Sequence, residues 1–180
     1  MKKILFSCFL VVAMLANTFS ALAGERAKVY SILSQADIDD NIVSHEVIVM
    51  EDGSYFDSIL TLVGESVEES DNPRLRDPGG SGAATKTYTH SITGYYPNST
   101  STGVNTFNVE IRYNYNSAYP GYSANAVTYI YCSRASGQGI TYNAGRSENT
   151  AWVRYSDQAD VVKPEYKYTV SYGNLNISIS

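Results

Sequence analysis

The sequence is short of the residues that most often carry chemistry. It has two cysteines, two histidines and one tryptophan in 180 residues. Cys8 lies inside an N-terminal apolar run, so only Cys132 stands in the rest of the chain, and no intramolecular disulfide can form there. His45 and His90 are far apart in sequence and neither has the spacing of a metal-ligand pair. Charged residues make up only 17% of the chain and the formal net charge is −5. A chain with this balance and no basic run is poorly suited to phosphate backbones, which argues against a nucleic-acid partner. Beyond the N-terminus there is no apolar stretch of membrane-spanning length, so no stable membrane anchor is expected.

What is present begins with an export pattern. Lys2 and Lys3 precede the apolar run 4–16, a polar patch 17–20 follows, and Ala21-Leu22-Ala23 has the small-x-small form of a signal-peptidase site. Residues 1–23 are therefore predicted to be a cleaved signal peptide and the protein to be secreted. Lipidation at Cys8 would leave no room for a hydrophobic region before it. A single remaining thiol and a short dibasic signal point to a bacterial source. The sequons Asn98-Ser99-Thr100 and Asn176-Ile177-Ser178 carry no weight in a chain rich in Asn, Ser and Thr. Between Gly24 and Pro78 acids outnumber bases; beyond Pro78 bases slightly outnumber acids, so the two parts have charge to attract each other.

Sixteen tyrosines are the most unusual abundance, and all but Tyr30 and Tyr55 follow Lys86. With Thr, Val, Ser and Asn they describe strands and turns. Alternating runs are predicted at 85–92, 105–115, 124–133, 151–155, 166–172 and 175–179, separated by Gly, Pro and Asn clusters. In the second, Phe107, Val109, Ile111 and Tyr113 share one face and Asn108, Glu110, Arg112 and Asn114 the other. Gly173-Asn174 suits a tight hairpin between the last two runs. Upstream, 43–50 and 55–63 flank Glu51-Asp52-Gly53-Ser54, which predicts a hairpin; a helix from Ser54 is the competing pattern, with Phe56, Ile59, Leu60, Val63 and Val67 at helical spacing. Residues 64–85 combine acids, Pro73, Pro78 and a Gly-Ser tract, the composition of a linker or mobile loop, and residues before it could be a propeptide.

The Glu51-Asp52-Gly53-Ser54-Tyr55 turn, the Thr85-Lys86-Thr87 step and the Tyr-rich region after it resemble uncharacterised small exported proteins of Gram-positive gut bacteria. That resemblance implies a host type and no activity, and no site residue follows from it.

A catalytic Cys132-His90 pair with Asp157 or Asn149 stands in no nucleophile context, and Cys132 alternates with Thr128 and Ile130, which predicts a buried structural thiol. His45 and His90 are predicted to be partly exposed strand positions. Asp37, Asp39 and Asn41 have calcium-loop spacing, but Ile42 and Ile48 stand where the glycine and the bidentate glutamate belong. A hydrated acidic turn is expected instead, and no cofactor. Glu110 with a second acid would suit glycan hydrolysis, yet Arg112 on the same face makes an ion pair the simpler account. Trp152 is predicted to be core. Tyr95, Tyr96, Tyr115, Tyr119 and Tyr122 concentrate rings at or near loops, where they can stack on sugars or peptides; the competing account is that tyrosines such as Tyr113 pack a β core.

The fold expected is all-β, an antiparallel sandwich or barrel over 86–180, with an acidic N-terminal hairpin region at 24–63 that joins the sheets or packs outside them. The function expected is a secreted, non-catalytic interaction module binding carbohydrate or a host or cell-surface protein through the tyrosine surface. The alternatives are a glycan hydrolase and a β-rich pore-forming or bacteriocin-like effector.

Overall fold

The computed structural model describes residues 28–34, 40–69, 80–117, 124–157 and 165–179. The predicted signal peptide, Asp37, Asp39, Tyr119, Tyr122 and positions 70–79 lie outside them. The described residues contain ten strands and no helix. These are β1 (Lys28–Ser31), β2 (Ile42–Val49), β3 (Tyr55–Glu69), β4 (Ser81–Tyr95), β5 (Ser101–Asn116), β6 (Ala126–Ser136), β7 (Ile140–Ser147), β8 (Thr150–Asp157), β9 (Glu165–Ser171) and β10 (Asn174–Ile179). Consecutive strands pair antiparallel in two meanders: a six-stranded sheet, β1 to β6, and a four-stranded sheet, β7 to β10.

The sheets share one core, so the architecture is the expected antiparallel sandwich. In β5 the alternation read from sequence holds: Phe107, Val109, Ile111 and Tyr113 are buried. Leu60, Tyr88 and Ile92 join them from β3 and β4, and Val153, Tyr155, Tyr166, Tyr168 and Val170 face them from β8 and β9. The core is thus largely aromatic. His90 packs edge-on to Tyr155 and Tyr166, with ring centroids 4.7 and 4.3 Å away, and Phe107 lies 4.8 Å from Tyr155. Such offset and edge-to-face contacts add to the area the rings bury.

Several local expectations are corrected. The β2–β3 hairpin is as expected, with residues 55–63 in strand β3, but its turn differs: it closes through Gly53 N–H donating to Met50 O at 3.1 Å and Met50 N–H to Ser54 O at 2.9 Å. Only Gly53 in that turn has positive φ, so it is a three-residue loop of type I with a left-handed glycine, not a two-residue I′ turn. At the other hairpin the positive-φ pair is Tyr172-Gly173, one residue earlier than expected, and Asn174 already pairs with Ser171. The stretch expected to be a linker is strand at both ends: β3 runs on to Glu69 and β4 starts at Ser81, the two pairing from Glu65↔Lys86 to Glu69↔Gly82. Backbone pairing to β5, with Gly82 opposite Tyr115, holds a segment whose side chains have little to bury. The N-terminal hairpin β2–β3 joins the same sheet as β4 to β6. Strand β7, absent from the alternating runs, is an edge strand in which only Ile140 is buried.

Trp152 is not core. It stands on the outer face of the small sheet, half-buried, opposite Gly145, with Arg154 over its ring. A Cβ at Gly145 would lie 2.4 Å from Trp152 Cζ2, so the missing side chain is what lets the indole lie flat across β7.

Candidate functional site

Of the tyrosines nominated from the sequence, the three among the described residues do not converge. Tyr95 pairs opposite Ser101 at one end of the β4–β5 hairpin, where it stacks on Tyr55 at 4.5 Å, and Tyr96 next to it is exposed. Tyr115 pairs opposite Gly82 at the other end, roughly 45 Å away at ~3.3 Å per residue. It is only partly exposed and packs against the core. No single contact surface can therefore hold Tyr95, Tyr96 and Tyr115.

Another arrangement forms on the outer face of the six-stranded sheet. Because Phe107, Val109 and Ile111 point inward, Asn108, Glu110 and Arg112 point out. Register sets Glu110 opposite Tyr131 and Arg112 opposite Tyr129. A bulge at Arg112/Tyr113 leaves Thr128 unpaired on β6, which restores Val127 to the core and turns Thr128 outward, where its hydroxyl donates to Arg112 O at 3.0 Å. Thr128 therefore does not share the inward face of Ile130 and Cys132.

The Tyr129 and Tyr131 rings lie within 14° of parallel with centroids 6.5 Å apart, and both are exposed, Tyr131 to 51%. The Arg112 guanidinium sits 4.8 Å above the Tyr129 ring. It also donates from Nε at 2.8 Å and Nη2 at 2.7 Å to a single oxygen of Glu110, Oε1, the ion pair expected from sequence. Glu110 and Arg112 edge an open trough of about 390 Å³, lined also by Ser66, Glu68, Thr85 and Thr128; the two tyrosines are their cross-strand partners and are not part of its lining. Glu68 comes from the part of β3 read as linker. Tyr129 and Tyr131 are not among the loop tyrosines that the sequence nominates, although their alternation with Ile130 and Cys132 marks them as outward.

A second polar group lies in the interior. His90 is fully buried, correcting the expectation of a partly exposed position, since it alternates with Tyr88 and Ile92 on the inner face of β4. Its Nε2 is 2.7 Å from Ser58 Oγ, which is 2.5 Å from the Tyr166 hydroxyl; Tyr166 donates to Glu46 Oε2 at 3.3 Å, and Ser44 to the same oxygen at 2.5 Å. Burial pulls the His90 imidazole down to about 3 and pushes the Glu46 carboxyl up, the Ser44 and Tyr166 bonds only partly offsetting it. Ser58 and His90 have the spacing of a nucleophile and its base, but Ser58 already has two partners in a closed interior and His90 Nδ1 has no acid to orient it. The relay gives hydrogen-bond partners to the buried Ser44, Glu46, Ser58 and Tyr166 side chains. His45, on the outer face, pairs with Asp57 at 2.9 Å.

Cys132 is buried, and burial pushes its thiol up to about 11, the hydrogen bond with the Tyr155 hydroxyl only partly offsetting it, which fits a structural role. Among the described residues no group of three His, Cys, Asp or Glu side chains is placed to hold a metal ion. Nothing matches among known protein families, curated proteins or solved structures.

Proposed function

We propose that this chain is an exported, non-catalytic module that binds a glycan on the outer face of its six-stranded sheet. The observation that carries the reading is the trough edged by Glu110 and Arg112, whose cross-strand partners Tyr131 and Tyr129 present exposed, near-parallel rings on the same outer face. Sugars have apolar C–H faces that rest on aromatic rings and hydroxyls that need fixed acceptors and donors. Exposed parallel rings next to the Glu110 carboxylate and the Arg112 guanidinium, with the hydroxyls of Ser66 and Thr85 farther across the trough on β3 and β4, offer both. Long paired strands hold these groups without a loop to order on binding. Hydrolysis through Glu110 is the weaker reading, because Arg112 already occupies one of its oxygens.

The test is a glycan array probed with the labelled full chain and three variants. Tyr129→Ala and Tyr131→Ala are expected to weaken binding about tenfold when combined, at ~0.5–1.5 kcal/mol per ring. Tyr96→Ala, at the far end of the hairpin, is expected to leave it unchanged. Absence of binding to any glycan, or loss confined to Tyr96→Ala, would sink the reading.

A further inference from the structure

Resting on that reading, we infer that the preferred glycan carries free amino groups, so that the trough takes a cationic sugar in preference to a neutral or acidic one. Three features of the trough lead there. Glu68 is exposed on its wall and, among the described residues, has no cation within ion-pair distance. Glu110 is held by two bonds to Oε1, which leaves Oε2 to accept from a ligand. Arg112, the cation of the trough, is already committed to Glu110 and to the face of Tyr129. The site thus presents acceptor oxygens in excess and an overall negative charge. A uronic or sialic acid would bring a second carboxylate to Glu68 with no uncommitted cation in the trough to receive it.

The rings argue in the same direction from different physics. A tyrosine face attracts cations through its quadrupole, and Arg112 over Tyr129 shows that this face is used so in the folded protein. Tyr131, on the same strand and more exposed, has no cation over its ring among the described residues. Tyr131 and Glu68 therefore bracket the Glu110–Arg112 pair, one on β6 and one on β3. An oligosaccharide with an ammonium on each residue, lying across the strands, would meet an acceptor at one side and an aromatic face at the other.

The experiment is isothermal titration of the full chain with three hexasaccharides in mildly acidic, low-salt buffer: fully deacetylated chitosan, its N-acetylated counterpart, and oligogalacturonate. The deacetylated form is expected to bind roughly tenfold tighter than the acetylated one, the gain available from one exposed charge pair and one cation–π contact. Added salt should erode that preference. Glu68→Gln should remove most of it, and Glu68 is exposed, so this variant keeps its fold. Tyr131→Ala should weaken all binding. Equal or tighter binding of the acetylated or acidic oligomer would overturn the inference while leaving the glycan reading intact. A preference for the amine that survives Glu68→Gln would also overturn it. Failure of every oligomer and of the array together would remove both.

Discussion

A histidine ring enclosed by Tyr155 and Tyr166, with Ser58 on Nε2 and nothing on Nδ1, has one sensible proton position. An orphaned N–H in the interior is costlier than a bare lone pair, so the proton belongs on Nε2, donating to Ser58. Ser58 then donates to Tyr166 and Tyr166 to the acceptor Glu46, giving a single direction to the whole chain. A second proton on His90 has no place to go. The folded imidazole titrates at about 3 against an ordinary 6.5, so its stabilising contribution is complete above 6.5 and is lost as pH falls toward 3. The slope is at most about 1.4 kcal/mol per pH unit. Glu46, shifted upward, acts in the opposite sense: it favours folding below its ordinary 4.5 and loses that contribution as pH rises through its raised value. Urea midpoints measured from neutral to acid pH should fall less steeply for His90→Gln than for the parent. Parallel profiles would mean that the buried ring does not set the slope. Gly145 makes a second prediction at this scale. Gly145→Ala drives a methyl into Trp152, which must lift toward water, so tryptophan emission should shift red and stability fall by about 1–3 kcal/mol.

Elements were legible where one face was dry and the other wet. Strand β5 could be read residue by residue because its inward positions are apolar and its outward positions polar, and β9 and β10 for the same reason. Strand β7 could not: an edge strand with Tyr142 and Asn143 exposed has no alternation to detect. The outer ends of β3 and β4 were hidden in acids and glycines because pairing to a neighbour leaves no trace in composition. The site suffered from the same limit. Glu110 and Arg112 were placed correctly on the polar face of β5, but their neighbours Tyr129 and Tyr131 depend on register between β5 and β6, which a bulge at Thr128 sets. Elements are also tied by single side chains. Asn125 is buried, and its Oδ1 accepts from Asn116 N at 3.0 Å and from Gly173 N at 3.3 Å, joining the end of β5 to the turn between β9 and β10. Asn125→Ala leaves both amides short of an acceptor and should cost about 1–3 kcal/mol in chemical denaturation. Asn125→Asp, which keeps the oxygen, should recover part of that loss.

At the scale of the molecule, the two sheets do not have separate interiors. Phe107 of β5 touches Tyr155 of β8, Tyr88 of β4 touches Tyr168 of β9, and Ser58 of β3 bonds Tyr166. Polar links close one edge of the sandwich as well: Arg146 donates to Val127 O at 3.0 Å, Val127 N–H to Glu148 O at 2.9 Å, and Arg134 to Ile140 O. With contacts distributed in this way, separating the sheets breaks the core of both, so unfolding should be a single transition. Cys132 reports on that event directly. It lies on the inner side of β6 beside Tyr155, its burial holds the thiol up at about 11, and a reagent that needs the thiolate meets neither charge nor access in the folded state. Labelling of Cys132 by Ellman's reagent should therefore proceed only through global opening, with a labelling free energy equal to that from urea unfolding followed by tryptophan emission. Trp152 sits on the small sheet and Cys132 on the large one, so agreement of the two probes tests the shared core and not one sheet alone. Rapid native-state labelling would mean that β6 opens by itself, and the rigid platform carrying Tyr129 and Tyr131 would lose its support.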